Sequence, residues 1–274
     1  MPDTRASTAD RHRLYELAVQ APEAEIDLLD QLVTDLRGRP ARRLREDFCG
    51  SAAIAAAWVR RRPDNQALGI DLDAAVLDWA HTHTLAGLTP EARARLALRQ
   101  ADVRHATTAP VDLVVAMNFS YWLLRSRETL GDYFGAVRRA LAPDGVFLLD
   151  VYGGYDAPRV IREERRVADP EQGDFDYIWE QAHFDPISSE LECHIHFAFD
   201  DGSWLERAFS YQWRLWTLPE LRELLAEAGF GEISVYWQGW DAEGEPDGDF
   251  VAVERGEPDA GWIAYLGATP APAR

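Results

Sequence analysis

Four apolar stretches in the first half of this chain each stop at a polar residue able to hold a ligand. Residues 43–48 lead into Cys49-Gly50-Ser51, and residues 68–70 end on Asp71. Leu96–Gln100 ends at Ala101-Asp102, and Val111–Ala116 ends at Met117-Asn118. Helix-like stretches separate them, so the pattern reads β-α-β-α-β and predicts a parallel sheet. In open α/β sheets, ligands bind at the carboxyl ends of the strands, where loops and helix N-termini converge. Asp71 stands about one βαβ unit beyond Glu46, the spacing expected of an acid that binds ribose hydroxyls. The first expectation is therefore a ligand containing a nucleoside.

Composition removes several alternatives. The net charge of −19 argues against nucleic acid and against an anionic membrane surface. All 28 basic residues are arginine, so a catalytic or Schiff-base lysine is excluded. Two cysteines cannot make a disulfide framework, and no apolar run has signal-peptide or membrane-spanning character. The expectation is a soluble, cytoplasmic protein of 274 residues acting on a small molecule, and self-association is left open.

Along the chain, residues 11–20 and Pro22–Arg37 read as two helices. In the second, Ile26, Leu29, Leu32, Val33 and Leu36 share one face, to be docked on the sheet or folded over its ligand edge. Helices are expected at 52–61, 73–86 and 126–141, and a buried strand at 146–151. From residue 155 the grammar changes to three antiparallel strands, at 177–184, 191–199 and 204–213. Thr217-Leu218-Pro219-Glu220 is a capping box that opens a helix closing at Gly229. Two final strands, 233–237 and 262–266, flank an acidic, Gly-rich loop over 241–249, and residues 269–274 read as a disordered tail. The expected organisation is a helical cap (1–40), an α/β core (41–154), an antiparallel insertion on the substrate side (155–216) and a segment completing the core sheet (217–274).

The loop after the first strand, Glu46-Asp47-Phe48-Cys49-Gly50-Ser51-Ala52, has one glycine where a dinucleotide site needs G-x-G-x-x-G. That disfavours a nicotinamide or flavin dinucleotide and favours a phosphate-free nucleoside such as S-adenosylmethionine.

At these residues the chain resembles the class I S-adenosylmethionine-dependent methyltransferases, over nearly its whole length. Residues 44–51 are similar to that family's acidic cofactor loop, with Phe48 and Ala52 in place of two glycines. Leu68-Gly69-Ile70-Asp71-Leu72-Asp73 resembles its ribose-binding motif, and Gln100-Ala101-Asp102-Val103 its adenine-contacting segment. Leu141-Ala142-Pro143-Asp144-Gly145 resembles the turn before its fifth strand. The resemblance implies a doubly wound, seven-stranded, mostly parallel α/β sheet (Rossmann-like) with an antiparallel β insertion. It also implies cofactor contacts at Glu46, Phe48, Gly50, Asp71, Leu72, Asp102, Val103 and Asn118. The late antiparallel block resembles the substrate-side region of glycine N-methyltransferase.

The acceptor side draws on chemistry as well. Asn118 and Tyr121 follow the fourth strand and can orient a nucleophile, and Trp122 can offer a ring to a sulfonium cation. His194 and His196 fall on one face of a strand, as general bases or a substrate clamp rather than metal ligands, because no third ligand stands at diagnostic spacing. Glu180, Tyr211 and Arg214 are candidates to hold the substrate, Arg214 by pairing a carboxylate. Tyr15 and Tyr152 join them through the resemblance. The expected reaction is direct displacement onto a small acceptor, an amine being favoured by the Asn118–Tyr121 loop. An alcohol would require a base, for which His194, His196 and Glu180 are candidates. The alternative reading is a sensor or scaffold that binds S-adenosylmethionine without turnover.

Overall fold

A computed structural model of the chain describes residues 4–241, 243 and 246–272. Three helices come first: α1 (Arg5–Thr8), α2 (Arg11–Val19) and α3 (Pro22–Arg37). The alternating section follows as β1 (Arg43–Asp47), α4 (Ala53–Arg61), β2 (Gln66–Asp71), α5 (Ala74–Thr82), α6 (Pro90–Arg93), β3 (Leu96–Gln100) and β4 (Val111–Ala116). It closes with α7 (Arg127–Ala140) and β5 (Leu141–Gly153). Four strands then form the insertion, β6 (Ile161–Val167), β7 (Phe175–Phe184), β8 (Glu190–Phe199) and β9 (Trp204–Arg214). After them come α8 (Leu218–Glu227), β10 (Phe230–Trp240), β11 (Pro246–Val253) and β12 (Trp262–Pro270).

The main sheet has the order β11-β10-β12-β5-β4-β1-β2-β3. Strands β1 to β5 pair in parallel, and β12, β10 and β11 continue the sheet antiparallel from β5. The order reverses between β1 and β4, and that switch point opens the crevice in which such sheets bind ligands. The apolar face of α3 docks on the sheet: Ile26, Leu29, Leu32 and Val33 are buried with Ala55, Trp58 and Leu148. The Thr217–Glu220 capping box is present at the start of α8.

Two expectations about strands need correction. The main sheet has eight strands rather than seven, because β11 begins within the stretch read as a loop over 241–249; residues 242, 244 and 245 of that loop lie outside the described residues. The insertion has four strands in the order β6-β7-β8-β9, not three. Both overlooked strands are edges, where charged side chains face solvent and the alternation that reveals a strand disappears. The presumed tail is also shorter, since Glu232 pairs with Thr269 in β12, while residues 273 and 274 lie outside the described residues.

The insertion sheet turns one face toward the ligand edge. Leu14 and Ala18 of α2 pack into that face with Phe175, Ile195, Phe197 and Phe199. Arg13 of α2 pairs with Asp169 at 2.6 Å before β7. Helix α2 is thus built onto the insertion sheet, and it lies across the crevice.

Candidate active site

A cavity of about 600 Å³ lies at the switch point, between the loops after β1, β2, β3 and β4 and a roof made of α2 and β9. Glu46, Asp47, Phe48, Gly50, Asp71, Leu72, Asp102 and Val103 line one end, and Asn118, Ser120, Leu123 and Leu124 line the other. Arg11, His12, Tyr15, Gln20, Phe209 and Tyr211 face them from the roof.

The loop after β1 is held in a left-handed conformation at three places, Phe48 (φ 56°), Gly50 (φ 52°) and Ala52 (φ 59°). A non-glycine residue there costs about 1–2 kcal/mol. Specific contacts offset that cost. The Gly50 amide donates to Asp71 Oδ2 at 2.8 Å, the Cys49 amide to the Ile70 carbonyl at 3.0 Å, and the Phe48 ring packs edge-on to Tyr133. The two substitutions of glycine therefore leave the turn intact. Next along, Glu46 Oε2 accepts from the Ala55 amide at 2.8 Å, capping α4, whose own N-cap residue Ala52 has no side-chain acceptor. Burial pushes the Glu46 carboxyl up to about 8.

Beneath the loop, Asp47 accepts from Arg45 Nε at 2.7 Å and from the Tyr133 hydroxyl at 3.0 Å; burial pushes its carboxyl up to about 6. Arg45 also donates to the Val103 carbonyl at 2.7 Å, which fixes the loop after β3. Asp73 caps α5 through the Ala75 amide, and Asp71 is left to join loop and strand end, accepting also from the Asp73 amide at 2.9 Å. Asp102 lines the cavity already paired with Arg104, at 2.6 Å, and that guanidinium holds its carboxyl below the usual range.

At the other end, Asp150 of β5 organises the loop after β4. Its Oδ2 accepts from the Asn118 amide at 2.7 Å and its Oδ1 from the Phe119 amide at 3.0 Å. Those two residues also have positive φ, 56° and 55°. Burial pushes Asp150 up to about 7. In the roof, Asp10 caps α2 and accepts from Trp79 Nε1 at 2.5 Å, which holds α2 over α5. Burial and the Arg11 charge lower the pKa of His12, so its imidazole is neutral near pH 7.

Several sequence-level assignments fall away from this cavity. Tyr121 is fully buried and donates to the Asp150 carbonyl at 2.9 Å, so its hydroxyl supports the loop instead of facing an acceptor. Trp122 is buried edge-on against Trp213 in the core. His194, His196 and Glu180 sit on the far face of the insertion sheet: His194 contacts Ser210 Oγ at 2.9 Å and His196 contacts Glu180 at 3.0 Å. The strand period gave their common face but not which way it turned. Arg214 pairs with Glu220 at 2.9 Å and stacks on Trp216, stiffening the start of α8. Tyr152 packs on Phe119 and does not line the cavity. Tyr15 and Tyr211 do line it.

Sequence reading passed over Asp150, Asp47, Arg11, His12, Ser120 and Phe209. Of these, only Asp150 carried a signal, an acid inside an apolar strand that must be hydrogen-bonded. Among the described residues no cluster of three or more His, Cys, Asp or Glu side chains is arranged to hold a metal ion.

The acidic end suits S-adenosylmethionine, whose sulfonium and ammonium are cationic. A side chain added at Gly50 would meet nothing within 4 Å, which leaves backbone open for close approach. Comparison with known proteins agrees. Residues 49–147 match the family model described as a methyltransferase domain. No curated protein matches the chain by sequence. Among solved structures, DesVI of Streptomyces venezuelae is similar at a TM-score of 0.69 and 18% identity, over 96% of this chain and 99% of that one. A S-adenosylmethionine-dependent methyltransferase from Clostridium acetobutylicum is similar at 0.67 and 15%, over 95% and 97%. S-adenosylmethionine-bound CalS10, an amino pentose methyltransferase from Micromonospora echinaspora, is similar at 0.67 and 18%, over 94% and 96%. Residues 49–147 thus match a methyltransferase domain, and the fold is one shared with S-adenosylmethionine-dependent methyltransferases.

Proposed function

We propose that the enzyme methylates a small-molecule amine held between the loop after β4 and the roof of α2 and β9. The observation that carries this reading is one cavity with two unlike ends. The acidic end has Glu46, Asp71 and Asp102; the other has Asn118, Ser120, Leu123, Tyr15, Phe209 and Tyr211. S-adenosylmethionine supplies an electrophilic methyl group when bound. The residues that would hold it are Glu46, Gly50, Asp71, Leu72, Asp102 and Val103, with Asn118 at the junction of the two ends.

The acceptor end needs to align a nitrogen and keep water away, and alignment supplies most of the acceleration in such displacements. Asn118 can orient the nitrogen, and the rings of Tyr15, Phe209 and Tyr211 exclude solvent. His194, His196 and Glu180, the bases expected for an alcohol, lie on the far face of the insertion sheet, and an amine bound in its neutral form attacks without any of them. His12 also lines the cavity, its imidazole held in the neutral form by burial and the Arg11 charge. CalS10, named as an amino pentose methyltransferase, supports an aminated substrate by analogy of fold alone.

This reading assigns residues 1–40 to a cap, 41–154 to the cofactor core, 155–216 to the acceptor side and 217–274 to completion of the sheet. Two free, buried cysteines support work in the reducing cytoplasm. The test is incubation with S-adenosylmethionine and glycine, benzylamine, glucosamine or phenol, followed by mass spectrometry. An N-methylated product together with S-adenosylhomocysteine supports the proposal. Methylation of phenol alone would reassign the acceptor to oxygen.

A further inference from the structure

Strand β9 contains a bulge opposite His196. Phe197 pairs with Leu205, yet Ile195 pairs with Phe209, so four steps along β9 span two steps along β8. Within the bulge Arg207 has φ 48°, a strained conformation for a side chain of that size. Its amide is taken by a side chain: Arg207 N–H donates to His196 Nδ1 at 3.1 Å. Because Nδ1 accepts, the ring proton sits on Nε2, which donates to Glu180 Oε2 at 3.0 Å. His196 is buried, while the Glu180 side chain keeps 29% of its surface exposed.

The bulge decides what faces the cavity. Continuing the pairing set by Phe197 and Leu205 would put Arg207 opposite Ile195 and Phe209 opposite Cys193. The observed pairing puts Phe209 opposite Ile195 and Tyr211 opposite Cys193. Without the bulge, Arg207 would take the place of Phe209 and Phe209 that of Tyr211, a slide of about 7 Å along the strand. On the cavity side the bulge is met from α2: Arg11 Nη1 donates to the Ala208 carbonyl at 3.3 Å, and its guanidinium lies over the Phe209 ring.

We propose that His196 and Glu180 are a positioning pair, acting from the far face of the insertion sheet to hold the β9 bulge that sets Phe209 and Tyr211 in the cavity. Neither touches substrate. The proposal rests on reading the Phe209–Tyr211 end as the acceptor end.

The test compares the full-length protein with His196→Leu, which removes the acceptor atom, and His196→Asn, which keeps an oxygen near the position of Nδ1. Hydrogen–deuterium exchange of the segment 203–211 reads the bulge directly. Benzylamine titrated into protein loaded with S-adenosylhomocysteine reads the cavity. In His196→Leu, exchange of that segment and the benzylamine Kd each rise about fivefold, the change one net hydrogen bond carries, while the Kd for S-adenosylhomocysteine stays the same. His196→Asn stays near wild type. Adding Arg207→Gly to His196→Leu recovers part of the benzylamine affinity, because glycine adopts the bulge φ without strain.

Wild-type exchange and binding in His196→Leu would overturn the proposal. So would an equal loss in His196→Asn, which would show that the ring fills space and its acceptor atom is irrelevant. Should His196→Leu not fold, the Asn variant and Glu180→Leu, which frees the ring, decide by the same two readouts. Failure of Phe209→Ala and Tyr211→Ala to change benzylamine binding would instead sink the acceptor reading, with exchange still deciding the bulge.

Discussion

The Gly50 amide donates to Asp71 Oδ2 at 2.8 Å, so the loop after β1 and the acid ending β2 behave as one unit. Asp71→Ala should therefore damage the site twice, by removing the proposed ribose acceptor and by releasing a loop with three left-handed residues. Hydrogen bonds to a charged group are worth about 1.5–3 kcal/mol, so affinity for S-adenosylmethionine and S-adenosylhomocysteine should fall about 10- to 150-fold. Calorimetric titration with circular dichroism as the folding control checks this. Unchanged affinity in a folded variant would remove Asp71 from the site.

Glu46 links cofactor binding to protons. Its carboxyl is pushed from 4.5 up to about 8 by burial. Between those values the folded chain keeps a proton that the unfolded chain has lost. The Glu46 contribution to the stability of the cofactor-free protein should thus fall as pH rises through that window, by at most about 1.4 kcal/mol per pH unit, on top of what Asp47 and Asp150 lose below about pH 7. A cationic ligand favours the ionised carboxylate, so affinity for S-adenosylmethionine should rise from pH 6 to pH 8.5. In Glu46→Gln both dependences should lessen, most clearly between pH 7 and 8.5, above the Asp47 and Asp150 values. Urea unfolding and titration across that range would settle it; a variant as steep as wild type would point to another group.

Tyr121 and Asp150 separate support from catalysis. Tyr121→Phe removes one buried hydrogen bond and should cost about 1 kcal/mol of stability, with methyl transfer nearly unchanged. Asp150→Ala leaves the Asn118 and Phe119 amides without their acceptor and should cost about 2–4 kcal/mol, with loss of activity. Denaturant unfolding and turnover, measured together, distinguish the two. A large fall in turnover in a stable Tyr121→Phe protein would return that hydroxyl to the chemistry.

The cofactor end was legible in the sequence because acids at strand ends have few other uses. Asp71 and Asp73 illustrate the limit of that reading: either could have capped α5, and only the geometry divides the labour. The loop was harder, since Phe48 and Ala52 adopt a conformation that a sequence advertises only through glycine. The acceptor end was largely hidden. The two-residue period shows that His194 and His196 share a face, but which face meets the cavity depends on α2, distant in sequence, packing on the other one. Phe209 and Tyr211 depend further on a bulge with no glycine to mark it. Edge strands β6 and β11 are charged on their exposed side and read as loops for that reason.

The most direct measurement is titration of the purified protein with S-adenosylmethionine, S-adenosylhomocysteine and NADH. Micromolar binding of both sulfur nucleosides, none of NADH, and loss of the first two in Asp71→Ala are expected. A folded wild-type protein that binds neither nucleoside, or binds them equally well without Asp71, would contradict the proposed cofactor site.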